Sequence, residues 1–374
     1  MWSAARCAFP GAASLVRRRA PVFSARSYVL HATSVAHNKR ILNAKKAPKV
    51  LALFEEYHAE YNAVNVGTSV HQLAMFKKDG ALWNARQENA ATAGQRSEDP
   101  RLLRLAESLL VNVSHFEGRN LADAAWSSAV LRLDQTPAIL QQVARRVLPK
   151  VDTLNPQDLA RLAWSFARTG ESAPELFDAL ALRAFTRVAK FKPREVSTIL
   201  WAFATARHEA PGLFSVMTGF SDRFAVFEPH DTAQTLWAFA KVGHAAPHFF
   251  AEAAVHVTQK TIKYGSPDNL TKLAFAFSEV GIAAPQLFAA VEVEALKYVP
   301  MFRPQELADI VFAFAKARIS APALFEAVAN EARKRVDTFS ARDLDVTARA
   351  YASAGFEASR LLDTIRDAQG KPPK

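Results

Sequence analysis

The sequence predicts an all-α protein, a right-handed α-solenoid of about eight helix-turn-helix repeats of 36–38 residues. Three observations carry that reading. First, one segment keeps returning: NPQDLARLAWSFARTG from Asn155, KPREVSTILWAFATAR from Lys192 and EPHDTAQTLWAFAKVG from Glu228. Second, aligned on their prolines, its copies start at Pro156, Pro193, Pro229, Pro267 and Pro304, with Gly118 before and Ala341 after, at spacings of 38, 37, 36, 38, 37 and 37 residues. Third, a mark reading P-x-L-F or a close variant recurs at Pro100, Pro137, Pro174, Pro211, Pro247, Pro285 and Pro322, at spacings of 37, 37, 37, 36, 38 and 37. A single helical hairpin of this kind cannot bury both faces, so the units must stack.

Each unit is two segments, A opening with P-x-L-F and B about 19 residues later. In B, with the proline counted as zero, positions 3, 6, 7, 8 and 10 are apolar, which is helical spacing. Proline at the first helical position forfeits no hydrogen bond, because that N–H is unpaired in any helix. Asn155 and Ser266 stand where N-caps belong, and Asp158, Glu195, Asp231, Glu306 and Asp343 suit the positive end of the helix dipole. Gly170, Gly243, Gly281 and Gly355 are placed to end their helices as C-caps. Positions 9 and 11 are Ala or Ser in nearly every copy, which lets neighbouring helices approach. The aromatic pairs Trp164/Phe166, Trp201/Phe203, Trp237/Phe239, Phe275/Phe277 and Phe312/Phe314 are expected to fill the space between the A and B layers.

The organisation follows from these marks. Residues 98–357 hold seven repeats, and residues 48–80 a degenerate first one, with GTSVHQLAMF as its B segment. The polar stretch 81–97 is an insertion, and residues 358–374 are a terminal cap helix with a tail.

The formal charge of +11 is not spread evenly. Residues 1–54 hold ten Lys/Arg and no acid, whereas the remainder holds 37 basic against 36 acidic residues. Residues 1–28 have the Arg-, Ala- and Ser-rich, acid-free composition of a mitochondrial transit peptide. Arg26-Ser27-Tyr28 resembles a processing site, and residues 29–47 read as a basic linker. A disordered basic tail that binds RNA or membrane is the competing interpretation. No apolar run reaches the ~18 residues a membrane span needs. The one cysteine, Cys7, falls in the leader, so a processed chain has no disulfide and no Cys-ligated zinc.

The segments PQDLARLAWSFARTG, PREVSTILWAFATAR, PHDTAQTLWAFAKVG, PDNLTKLAFAFSEVG and PQELADIVFAFAKAR resemble the octotricopeptide and heptatricopeptide repeats. Those repeats occur in organellar proteins and are related to the FAST kinase-like and RAP-domain proteins. The resemblance covers roughly residues 42–367. It implies organellar, chiefly mitochondrial, RNA binding, with a plastid as the alternative. The expected partners are mRNA or rRNA and the proteins of a mitochondrial ribosome or RNA-processing complex. The expected roles are RNA processing, stability, translation or ribosome assembly. A protein-binding scaffold or structural subunit of such a complex is the second reading. No RAP domain is seen, which puts nuclease activity by analogy in doubt; an enzyme whose RAP-like domain is lost or supplied by a partner is the third reading.

Candidate binding residues come from the variable face of helix B. Position 5 reads Gln72, Asp123, Arg161, Thr198, Gln234, Lys272, Asp309 and Val346 through successive units, mostly hydrogen-bonding and changing as a one-side-chain-per-base reader would. Any solvated helix face is also polar and variable, so both interpretations stand. Arg194, His230 and Gln305 at position 1 are expected to support the same groove. A second set, Arg145, Arg146, Arg187, Lys190, Lys260, Lys263, Arg333, Lys334 and Arg335, lies near the ends of the A helices. These either track phosphates or complement the helix dipole. His244 and His248 flank Pro247 with no third ligand in sight, so no metal and no cofactor are expected. No phosphate-binding glycine loop, Walker lysine or nucleophile elbow occurs, and a non-enzymatic protein is expected.

Overall fold

In the computed structural model, which describes residues 25–78, 99–244, 246–260 and 265–356 together with Leu361, Asp363 and Ile365, the proline marks lie in the first turns of helices. Helix α1 (Ala25–Asn43) precedes eight helical pairs. The A helices are α2 (Ala47–Tyr57), α4 (Pro100–Asn112), α6 (Thr136–Val147), α8 (Pro174–Thr186), α10 (Pro211–Met217), α12 (Pro247–Lys260), α14 (Pro285–Leu296) and α16 (Pro322–Lys334). The B helices are α3 (Ala63–Lys78), α5 (Arg119–Leu131), α7 (Pro156–Thr169), α9 (Pro193–Ala206), α11 (Pro229–Lys241), α13 (Pro267–Val280), α15 (Pro304–Lys316) and α17 (Ala341–Ala354). Among the described residues there is no strand. The chain is an α-solenoid.

Two layers result, and the B layer is the more closely packed. Its small residues explain why. In α9, Ser197, Ala202 and Ala204 are buried at positions 4, 9 and 11, where a larger side chain would hold the neighbouring helices apart. A stack whose B layer has the shorter spacing bends toward that layer, so the free face of the B helices lines the inside of the curve.

Between the layers, Val196, Ile199, Leu200 and Phe203 of α9 are all fully buried, at positions 3, 6, 7 and 10. Phe203 meets Phe177 of α8 edge to face, with ring centroids 5.0 Å apart. The same contact, from the P-x-L-F phenylalanine to position 10 of its own unit, recurs as Phe214–Phe239, Phe250–Phe277, Phe288–Phe314 and Phe325–Tyr351. Tyr351 keeps the ring and adds a hydroxyl, which donates to the Phe325 carbonyl at 2.6 Å.

The caps are partly as expected. Asn155 accepts from the Asp158 amide at 3.0 Å, while Ser266 makes no side-chain cap bond. Gly170, Gly243, Gly281 and Gly355 have φ of 76°, 66°, 66° and 64°, the left-handed C-cap conformation. Arg132, Arg207 and Arg318 occupy the equivalent place in three units with φ of 57°, 54° and 57°.

The segment read as a basic linker differs from expectation, since residues 29–43 are helical within α1. Ser34, His37 and Ile41 give α1 a buried stripe. The Asn65 amide of α3 donates to the Ser34 carbonyl at 2.9 Å, and His37 pairs with Glu60 at 3.0 Å. The insertion at 81–97 lies outside the described residues, as does residue 1–24 of the leader and most of 358–374. Leu361 and Ile365 are helical and buried.

Candidate nucleic-acid interface

Helical geometry places the free face of each B helix. At about 100° per residue, core positions 3, 6, 7 and 10 cluster near 290°, and positions 1, 5, 8 and 12 cluster near 110° on the opposite side. Position 8 therefore does not point between the layers. Trp164, Trp201, Trp237, Phe275 and Phe312 are half-buried, whereas Phe166, Phe203, Phe239, Phe277 and Phe314 are buried. This corrects the expectation that both members of each aromatic pair fill the interlayer space. The position-10 ring does so, and the position-8 ring is turned to the inside of the curve.

The position-8 rings form a row across the stack. Trp164 and Trp201 lie 6.5 Å apart and are tilted by 31°, and Trp237 and Phe275 lie 6.4 Å apart at 37°. The row begins at Trp126, which the Arg161 guanidinium covers at 5.3 Å from the ring centre.

Position 5 is spent largely inside the stack. Arg161 pairs with Asp123, the position-5 residue of the preceding unit, and each side chain keeps only 18% of its surface exposed. Gln234 is buried and its amide donates to the Ser197 carbonyl of the previous B helix at 3.1 Å. The Thr198 hydroxyl donates to the Arg194 carbonyl at 2.6 Å, and Lys272 pairs with Asp268 at 2.6 Å. Burial, reinforced by Asp343, pushes the Asp309 carboxyl above the usual carboxylate range, against the opposing pull of Arg342. These five side chains join neighbouring helices or their own turn. A variable column of polar residues looks the same in sequence whether it reads a ligand or bonds a neighbour.

The more exposed polar residues of this face stand at its two ends. Arg194 and His230 at position 1 are exposed, and the His230 ring lies 3.4 Å from the Asn269 amide oxygen. At position 12, which the sequence reading left without candidates, Arg168, Lys241 and Lys316 are exposed. The Lys241 ammonium lies 5.9 Å from the Phe275 ring centre, and Lys316 pairs with Glu279 at 2.6 Å. A cleft of about 510 Å³ opens beside Lys241, bordered by Arg207, His208 and His244. From α5 to α17, positions 1, 5, 8 and 12 hold nine Lys/Arg and four Asp/Glu, although the chain beyond residue 54 is almost balanced. Charge is thus segregated onto this face.

The basic ends of the A helices are held differently. Arg146 donates to the Phe116 carbonyl at 3.3 Å and Arg335 to the Phe302 carbonyl at 3.1 Å, each joining two units. Arg333 donates to Asn330 at 2.5 Å, and Lys334 pairs with Glu331 at 3.3 Å. Arg145 and Lys190 are exposed and Arg187 is half-buried. The Lys260 side chain and Lys263 lie outside what is described. Several members of this set thus act as ties between or within units, a use that the charge pattern alone did not distinguish from a phosphate ladder.

Among the described residues, no group of three or more His, Cys, Asp or Glu is placed to hold a metal ion, and no helix is long and apolar enough to cross a membrane. Compared with known proteins, residues 105–262 match the family model of the RNA-editing substrate-binding complex 6 protein. No curated protein matches the chain. The matched residues take in α5, α7, α9 and α11, and with them Trp126, Trp164, Trp201 and Trp237.

Proposed function

We propose that this chain is a non-enzymatic RNA-binding solenoid of the mitochondrion, holding single-stranded RNA along the inner face of its B helices within an RNA-processing assembly. The observation that carries this is the match to the RNA-editing substrate-binding complex 6 model, because it falls on the repeats whose inner face gathers the rings and the cations. The acid-free leader supports the mitochondrial address. The octotricopeptide-like motif supports an RNA ligand. With position 5 engaged in the stack, recognition through the exposed ends of the B helices and through phosphates favours modest sequence preference.

The second reading is a protein scaffold in the same kind of assembly, and one observation favours it: the matched family is described as part of a complex. Crosslinking the tagged full chain to RNA in isolated mitochondria, followed by sequencing of the RNA and identification of co-purified proteins, separates the two. The proposal expects both RNA crosslinked directly to this chain and partner proteins. Partner proteins without crosslinked RNA would leave the scaffold reading in its place.

A further inference from the structure

The position-8 row is costly to explain as mortar. Mortar would be covered, yet Trp164, Trp201, Trp237, Phe275 and Phe312 all keep part of their surface open on the inner face. Aromatic rings left partly open in a periodic row, with Arg or Lys on the same face, are what a nucleic-acid stacking platform requires. We propose that this row stacks the unpaired bases of RNA, while cations at positions 1 and 12 hold the backbone on either side. The inference rests on the RNA-binding reading and specifies its chemistry.

Spacing selects the strand. Stacked bases in a helix rise about 3.4 Å per step. Trp164 and Trp201 stand 6.5 Å apart and Trp237 and Phe275 6.4 Å, so bases seated on the two rings of either pair cannot also stack directly on each other. The strand that fits is unstacked and single, with its base faces free. Every base has such a face, so this row adds affinity without choosing a sequence. Charge also chooses RNA over an amphipathic peptide helix, because the rings are bordered by a surplus of cations rather than by a continuous apolar groove.

The test uses the full chain, a fluorescently labelled single-stranded RNA of mixed sequence, the same strand annealed to its complement, and a series of salt concentrations. Three chains are compared with wild type: the triple variant Trp164→Leu/Trp201→Leu/Trp237→Leu, the same three positions changed to Phe, and the double variant Arg194→Ala/Lys241→Ala. The Leu triple is expected to bind the single strand on the order of a hundredfold more weakly with an unchanged salt slope, since stacking releases no counterions. The Phe triple should stay within a few-fold of wild type. The Arg/Lys double variant should bind more weakly with a shallower salt slope. Wild-type indole emission should be partly quenched by the single strand and not by the duplex. That quenching decides the matter if the Leu triple has lost its helical circular dichroism. Tight binding of the single strand by a folded Leu triple, or by wild type without quenching, overturns the stacking row and leaves RNA binding standing. A wild-type chain that binds no RNA overturns both.

Discussion

Positions 8 and 10 of a B helix are two residues apart and both aromatic, yet they belong to different surfaces. Phe203 is sealed between the layers against Phe177, while Trp201 lies half-open beside Trp164 on the inner face. The difference follows from helical phase, since two residues turn the direction by about 200°. A repeated aromatic is therefore not by itself a sign of core. The repeat holds Phe203 and its counterparts fixed for packing, and it holds the Trp row fixed on a surface where packing asks for less.

The comparison breaks most visibly by truncation. Phe203→Ala leaves a cavity where the two layers meet and should cost about 3–5 kcal/mol. Trp201→Ala removes a larger side chain from a partly open site and should cost less than half as much. Urea unfolding of both variants measures the difference. Equal losses would mean that both rings are core.

A second contrast separates ties from contacts. Arg161→Ala leaves Asp123 half-buried with Arg119, at 3.5 Å, as its remaining arginine, and should cost about 1–2 kcal/mol after allowance for solvent at the pair. A double-mutant cycle with Asp123→Ala should show that much of this loss is shared. Arg194→Ala should leave the melting temperature unchanged and instead reduce the salt slope of RNA binding by about one. If Arg161→Ala weakens RNA binding and not the fold, position 5 returns as a reader.

How much of this was legible beforehand can be traced residue by residue. Periodicity fixed the stacking units because each proline and each buried Leu recurs with the same phase, and local propensity and tertiary packing agree there. The inner face was misjudged at Trp164 because hydropathy counts an indole as apolar without asking which way it points. At Arg161 the sequence left two interpretations open and hid a third, since its partner Asp123 stands 38 residues away and only stacking brings them together. Residues 29–43 looked like a linker because their basic composition masks the stripe of Ser34, His37 and Ile41 that docks α1.

The two edges of the inner face also differ, and arginine marks one of them. Arg132, Arg207 and Arg318 sit at positive φ where four other units use glycine. A side chain there is strained, and Arg207→Gly should stabilise the fold by roughly 0.5–1 kcal/mol, the relief of strain exceeding the added flexibility of the unfolded chain. Thermal unfolding reads the gain. Weakened RNA binding in the same variant would assign Arg207, beside Lys241 on the cleft, to the ligand.

The smallest expected effect concerns Asp309, a position-5 acid that sits among both kinds of surface. Burial is the main reason its carboxyl titrates above the usual range, and Asp343 adds to it, while Arg342 and a hydrogen bond from Gln305 pull the other way. The native state thus takes up this proton at a higher pH than the unfolded chain does. At neutral pH the charged form weakens the fold, and the penalty is relieved as pH falls through the raised native pKa toward the unfolded value. Asp309→Asn removes the charge at every pH. Its melting temperature should exceed that of wild type at pH 7, and the advantage should shrink as the pH falls through the carboxylate range. A difference that grew on acidification would instead mean that Arg342 pairs with this carboxylate strongly enough to outweigh burial, making Asp309 a tie like Asp123.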